Sequence, residues 1–229
     1  MSRDKHPDKT LSLLWMFDLD GTLVDTVQAI IESANLARTN RGYSHRDQEE
    51  LQSLVGLNPD RFFDDLTLTQ EENQTIVRDF RNILGAVNFG PDDVYPGAIE
   101  LLTFLKSQNF HLAIATNKPT FNAQKLLHKV ELLDFFDHIQ GSDNMVSKPA
   151  PDILKSCQEI FRSDSSIMVG DRVEDILAGQ QANSCTIGIT QTFHKFADFV
   201  SYGASFVFNG LTELAEFLEF RDGIAKLHK

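Results

Sequence analysis

The run Leu13-Leu14-Trp15-Met16-Phe17 is wholly apolar and stops abruptly at Asp18-Leu19-Asp20-Gly21-Thr22. A short run without polar alternation has no face to offer water, so it reads as a strand covered on both sides in a parallel sheet. A strand that ends on two acids delivers them to the carboxyl edge of that sheet, where open α/β folds bind their ligands. Alternation predicts Asp18 and Asp20 on one side, with the chain free to turn at Gly21 and present amides and carbonyls inward. Such a seat suits a hard divalent cation and a phosphoryl group. A strand that merely enters a helix, with Asp20 or Thr22 as N-cap, accounts for the same letters.

The rest of the chain repeats this rhythm. Strand-like runs are expected at 11–17, 111–116, 138–141, 166–170, 186–190 and 205–208, with helical patterns at 97–108, 120–130, 151–161, 173–182 and 211–220. Strands alternating with helices of about ten residues specify a doubly wound α/β domain built on a parallel sheet. From Asp25 to Asp93 only helical periodicity is found, clearest at 26–39, 47–54 and 70–88. Ser44 before Asp47, and Thr69 with Glu72, look like helix starts of capping-box type. So much helix exceeds a single crossover, and we expect an inserted helical cap over 25–93, a core of 11–24 with 94–229, and a disordered tail over 1–10. The segments 20–25 and 88–93 would be its two hinges.

Three further places carry chemistry. The run ending at Ala115-Thr116-Asn117 brings a hydroxyl and free backbone amides to a strand end, a way to hold a phosphate oxygen that a plain turn would mimic. In Ser147-Lys148-Pro149-Ala150-Pro151 two prolines fix a lysine at a helix entrance, where the helix dipole favours anions; an anionic group is therefore expected beside Lys148. Ile167-Met-Val-Gly170-Asp171 is a second apolar strand ending in acid, with Asp175 one helical turn on, so that both acids can face one cation or its waters. Compensation of a helix dipole also explains acids there, but not why this strand repeats the grammar of the first.

In the order Asp18/Asp20, Thr116, Lys148, Asp171/Asp175, the chain resembles the haloacid dehalogenase superfamily of aspartate-nucleophile phosphatases over nearly everything after residue 10. Val94-Tyr-Pro-Gly97 and Ala115-Thr-Asn-Lys-Pro119 resemble its phosphoglycolate-phosphatase-like branch. The resemblance implies a Rossmann-like core and hydrolysis of a small phosphate monoester through an aspartyl-phosphate on Asp18, with Asp20 as general acid and then base. It implies Mg²⁺ held by Asp18, the backbone carbonyl of Asp20 and Asp171, with Asp175 holding its waters. Thr116, Lys148 and the backbone amides around Leu19, Gly21 and Asn117 would steady the phosphoryl oxygens. Arg61, in the loop Leu54–Arg61 of the cap, would pair with the far end of the substrate; pairing with Asp64 or Asp65 on its own helix is the competing expectation.

Several relatives of that superfamily are disfavoured. Dehalogenases do not need an acid two residues after the nucleophile. Residues 25–93 contain no lysine, which removes Schiff-base chemistry of the phosphonoacetaldehyde hydrolase kind. The first cap helix lacks the histidine of the sugar-phosphate mutases. A pyrophosphatase, a nucleotidase, a sugar phosphatase, or a non-catalytic module sensing a phosphorylated metabolite stay open. A net charge of −12 argues against a surface for nucleic acid or anionic membranes, and neither is an expected partner. The insertion, with thirteen acids and six arginines, suits a small phosphorylated metabolite better than a long polyanion. Cys157 and Cys185 read as free thiols, and with no apolar segment of membrane-spanning length the expected address is the cytoplasm, as monomer or homodimer.

Overall fold

The computed structural model describes residues 13–219; the expected tail over 1–10 lies outside them. Six parallel strands form one sheet: β1 (Leu14–Phe17), β2 (His111–Ala115), β3 (His138–Gln140), β4 (Ser166–Gly170), β5 (Cys185–Ile189) and β6 (Phe206–Phe208), in the order β3-β2-β1-β4-β5-β6. The order reverses beside β1, the place where a doubly wound sheet opens a crevice at its carboxyl edge. Register supplies the rest. Phe17 lies opposite Ile114 on one side and Val169 on the other, so the residues that follow, Asp18, Thr116 and Asp171, arrive at one edge.

Alternation along the strands divides the core into two layers. Trp15, Phe17, Ile114 and Val169 pack with α4 (Ala98–Ser107), α5 (Thr120–Lys129) and α9 (Leu211–Glu219), whereas Leu14, Met16, Ala113 and Met168 pack with α6 (Asp152–Phe161) and α7 (Val173–Gln181). Both layers are closed to water at β1, the reason this strand carries no polar residue. The short α8 (Phe196–Ser201) was not apparent from periodicity; its six residues bury Phe199 alone.

Residues 25–93 contain α1 (Val27–Thr39), α2 (Gln48–Leu54), α3 (Gln70–Ala86) and 3₁₀ turns at Pro59–Phe63 and Pro91–Asp93. They form a hydrophobic cluster of their own around Leu51, Phe63 and Ile76. The Thr69–Glu72 capping box is present, but α2 is capped by Asp47 itself, whose carboxylate accepts from the amides of Glu49 and Glu50, and not by Ser44. The two ends of the segment are tied together: the Asp25 amide donates to the Asp93 carbonyl at 2.8 Å, and Tyr95 N to Leu23 O at 3.0 Å.

Candidate active site

β1 ends at Phe17, one residue before the first acid, so pleat alternation does not orient Asp18 and Asp20. The two carboxylates line one cavity, of about 50 Å³, but take different partners. Asp18 Oδ1 lies 3.0 Å from Lys148 Nζ. Asp20 accepts from Thr26 Oγ1 at 2.8 Å and pairs with Lys118 Nζ at 2.9 Å. Lys118, two residues beyond Thr116, is a site residue that sequence reasoning missed; its position just after a strand-end hydroxyl was the available signal.

Lys148 is buried and fully engaged. Its ammonium donates to the Ala115 carbonyl at 2.8 Å and to Asp175 Oδ1 at 2.6 Å, besides facing Asp18. Burial opposes its charge, but the carboxylates of Asp175 and Asp18 outweigh burial and hold it above its ordinary value. The anion expected beside a lysine at this helix entrance is therefore a pair of acids belonging to the chain itself. The second oxygen of Asp175 accepts from the Arg172 amide at 3.1 Å, closing the first turn of α7.

Asp171 has a different environment. Thr22 Oγ1 donates to its Oδ1 at 2.8 Å and Thr192 Oγ1 donates to its Oδ2. Burial, followed by the charge of Asp18, pushes Asp171 up to about 6. Carboxylate oxygens of Asp18, Asp171 and Asp175 lie within 4.8 Å of one another. One ammonium among three buried acids leaves a deficit of positive charge, and an all-oxygen donor set of this kind fits a hard divalent cation. Asp20 contributes no carboxylate to this cluster.

Close approach explains two glycines. At Gly21, with φ of +84°, a Cβ would stand 2.5 Å from Asp171 Oδ2, and at Gly170 a Cβ would collide with the Asp175 carboxylate. Gln191 Nε2 donates to the carbonyls of Gly21 at 3.0 Å and Thr22 at 2.7 Å, fixing the turn that follows Asp20. Leu19 is fully buried and belongs to the core.

Thr116 is buried; its hydroxyl oxygen accepts from the Lys118 amide at 3.2 Å. The Asn117 side chain acts as a clamp. It accepts from Lys148 N at 2.8 Å and donates to Gly56 O at 2.8 Å, joining the strand end to the loop before the Pro59 turn. Arg172 makes a second such tie, Nη2 donating to Ser53 O at 3.0 Å. Arg61 does not reach this cavity. Its side chain is 59 % exposed and paired with Asp64 at 3.0 Å, the competing expectation for it, because the 3₁₀ turn places the two residues on one face.

Among the described residues no helix is long and apolar enough to cross a membrane, and Cys157 and Cys185 are free thiols. Residues 15–189 match the family model described as haloacid dehalogenase-like hydrolase. The chain is 31% identical over 189 residues to a protein named probable phosphatase IndB from Dickeya dadantii, covering 79% of this chain and 82% of that one. It is 29% identical to a phosphoglycolate phosphatase of Colwellia psychrerythraea, over 87% and 93% of the respective chains. Among solved structures, a predicted phosphatase from Clostridium acetobutylicum superposes with a TM-score of 0.79 at 29% identity, covering 90% of this chain and 98% of that one. The β-phosphoglucomutase of Clostridium difficile, at 21% identity and a TM-score of 0.81 over 94% and 96% of the chains, shares the fold.

Proposed function

Since the chain belongs to the haloacid dehalogenase-like hydrolase family, we propose that it is a Mg²⁺-dependent phosphatase of small phosphate monoesters, acting through an aspartyl-phosphate on Asp18. The observation that carries this reading is the division of labour between neighbouring acids: Asp18 faces the three-acid cluster, while Asp20 stands outside it with Thr26 and Lys118. One group is thus placed for attack and the other for proton transfer. Phosphatase relatives, among them the Colwellia enzyme, support a substrate of the phosphoglycolate kind, a short ester with an anionic far end.

Lys148 holds one oxygen of Asp18 and leaves the other for the phosphorus atom. The bond from that oxygen to phosphorus forms as the ester bond breaks, and Asp20 gives its proton to the departing alkoxide. An arriving phosphoryl group competes with Asp20 for Lys118, which frees the Asp20 carboxyl for this role. In the second half Asp20 takes a proton from water, and the water oxygen displaces Asp18 from phosphorus. The Thr116 hydroxyl and the amides that follow Asp18 and Thr116 steady the equatorial oxygens. Asp18, the Asp20 backbone carbonyl and Asp171 would hold the cation, with Asp175 orienting its waters; when bound, it supplies positive charge that lets an anionic nucleophile approach an anionic ester.

The segment 25–93 acts as the cap, lining the cavity with Ile30, Gly56, Leu57, Phe62 and Phe80 and tied to the core through the carbonyls of Gly56 and Ser53. The test is Mg²⁺-dependent release of phosphate from p-nitrophenyl phosphate, with acid-quenched protein checked for phosphate on Asp18. Turnover with no label on Asp18 would overturn the covalent route, and no turnover by folded, Mg²⁺-loaded protein would overturn the phosphatase reading.

A further inference from the structure

Beside the reaction cavity lies a much larger cleft, of about 550 Å³, between α3 and α5. The two share Arg81, Leu84, Lys118 and Asn122, so one opens toward the other. The lining of the cleft includes Arg78, Arg81, Lys118, Lys125 and Lys129 and no carboxylate. That is a marked segregation in a chain of 33 acids and 21 basic residues. The six arginines of the insertion divide accordingly. Arg38, Arg41, Arg46 and Arg61 are each paired with acids, whereas Arg78 and Arg81 have no carboxylate partner among the described residues. Lys125 has none either. Lys129 is spent on the Val87 carbonyl at 2.6 Å, where it tethers the end of α3.

Unneutralised cations held close together repel, and a concave wall focuses their field on whatever enters. Spacing adds direction. Arg78 and Arg81 lie three residues apart on one face of α3, and Lys118 precedes α5 while Lys125 lies five residues beyond its first residue, Thr120, about 7 Å along the helix. Arginine forks at that distance suit a dianion with several oxygens.

We propose that this cleft selects phosphate monoesters that carry a second phosphoryl group, held by Arg78, Arg81 and Lys125 while the first reacts at Asp18. The proposal rests on the phosphatase reading and goes beyond it, adding to short esters of the phosphoglycolate kind a second class of substrate. Hydrolysis removes the phosphoryl group near Asp18 as inorganic phosphate and leaves the distal ester intact. Arg78 and Lys125 line the cleft and not the reaction cavity, so phosphoglycolate, whose carboxylate stands one carbon from its reacting ester, is expected to gain nothing from them.

The test compares kcat/KM for hexanediol bisphosphate, hexyl phosphate, phosphoglycolate and p-nitrophenyl phosphate in the wild type and in an Arg78→Gln/Lys125→Gln double variant. Hexanediol bisphosphate should exceed hexyl phosphate by roughly 10–100-fold, the range expected when two charge-assisted contacts are added. The double variant should lose that preference while its turnover of p-nitrophenyl phosphate and phosphoglycolate is unchanged. Equal wild-type values for the two hexyl esters, or a preference that survives in the double variant, would overturn the proposal. If no ester is turned over at all, the phosphatase reading fails and the cleft is judged by binding alone. Hexanediol bisphosphate should then raise the melting temperature of the Asp18→Asn protein more than hexyl phosphate does, and the double substitution should abolish the difference; equal shifts would overturn the cleft assignment.

Discussion

Asp18 and Asp20 are separated by one residue, yet their surroundings assign them different work. Asp18 shares its space with Asp171 and Asp175, and its charge adds to burial in pushing both neighbours up. Asp18→Asn removes that repulsion and the nucleophile together. The expected outcome is no measurable phosphate release from p-nitrophenyl phosphate, with a melting temperature equal to or above that of the wild type. A variant that melts lower would mean that Asp18 is held by attraction to Lys148 more than it is opposed by the acids. Asp20→Asn keeps its hydrogen bond from Thr26 but has no proton to give. Loss of general acid–base help should slow an alkyl phosphate by about 10²–10⁴-fold and p-nitrophenyl phosphate much less, since its leaving group needs little protonation. Equal losses on both esters would remove Asp20 from the role of acid.

Within the helical segment, α1 is anchored by an ion pair between a buried guanidinium and an exposed carboxylate that no periodicity announces. Arg38 is 1% exposed, and its guanidinium donates to both oxygens of Asp65 at 2.7 Å and to the carbonyls of Ser44 and Phe62. The bidentate hydrogen bonds from Arg38 hold the Asp65 carboxyl below its ordinary value. A carboxyl lowered by folding contributes stability that is present above the unfolded value of about 4 and is lost as pH falls through the lower folded value. Asp65→Asn should therefore cost about 1–2 kcal/mol at pH 7, because a buried guanidinium loses its counter-charge while water screens the exposed carboxylate in part. Melting curves of the two proteins should differ at pH 7 and converge near pH 2–3; a gap that persists into acid would trace the loss to packing.

The whole molecule brings acids from the ends of β1 and β4 and from α7 to one point, so binding of the proposed cation would be linked to folding. Mg²⁺ should raise the melting temperature of the wild type. Asp171 receives only hydroxyl donors, from Thr22 and Thr192, whereas both oxygens of Asp175 are committed to Lys148 and the Arg172 amide. Asp171→Asn should accordingly abolish most of the Mg²⁺-induced shift, and Asp175→Asn should lower the metal-free melting temperature while keeping much of the shift. Identical responses in the two variants would undo this division between holding the cation and supporting its neighbours.

Much of this architecture was legible in the chain. An unbroken apolar run such as Leu13–Phe17 has one stable fate, a strand buried on both faces, and repetition of that pattern with intervening helices leaves a parallel sheet as the way to bury all of them. The same logic put Asp18, Thr116 and Asp171 at strand ends, since a charge cannot continue a buried strand. What the sequence did not contain was the pairing of side chains distant along it. Lys118 on Asp20, Thr192 on Asp171 and Arg38 on Asp65 depend on register, crossover direction and loop path, whereas Arg61 on Asp64, three residues apart, is a pairing that spacing alone already offers. Composition likewise made the helical insertion look uniformly acidic. Only folding sorted its charges, pairing four arginines within the segment and turning Arg78 and Arg81 toward Lys118 and Lys125 of the core, because which charges meet is decided by how helices pack and not by how many of each sign the segment holds.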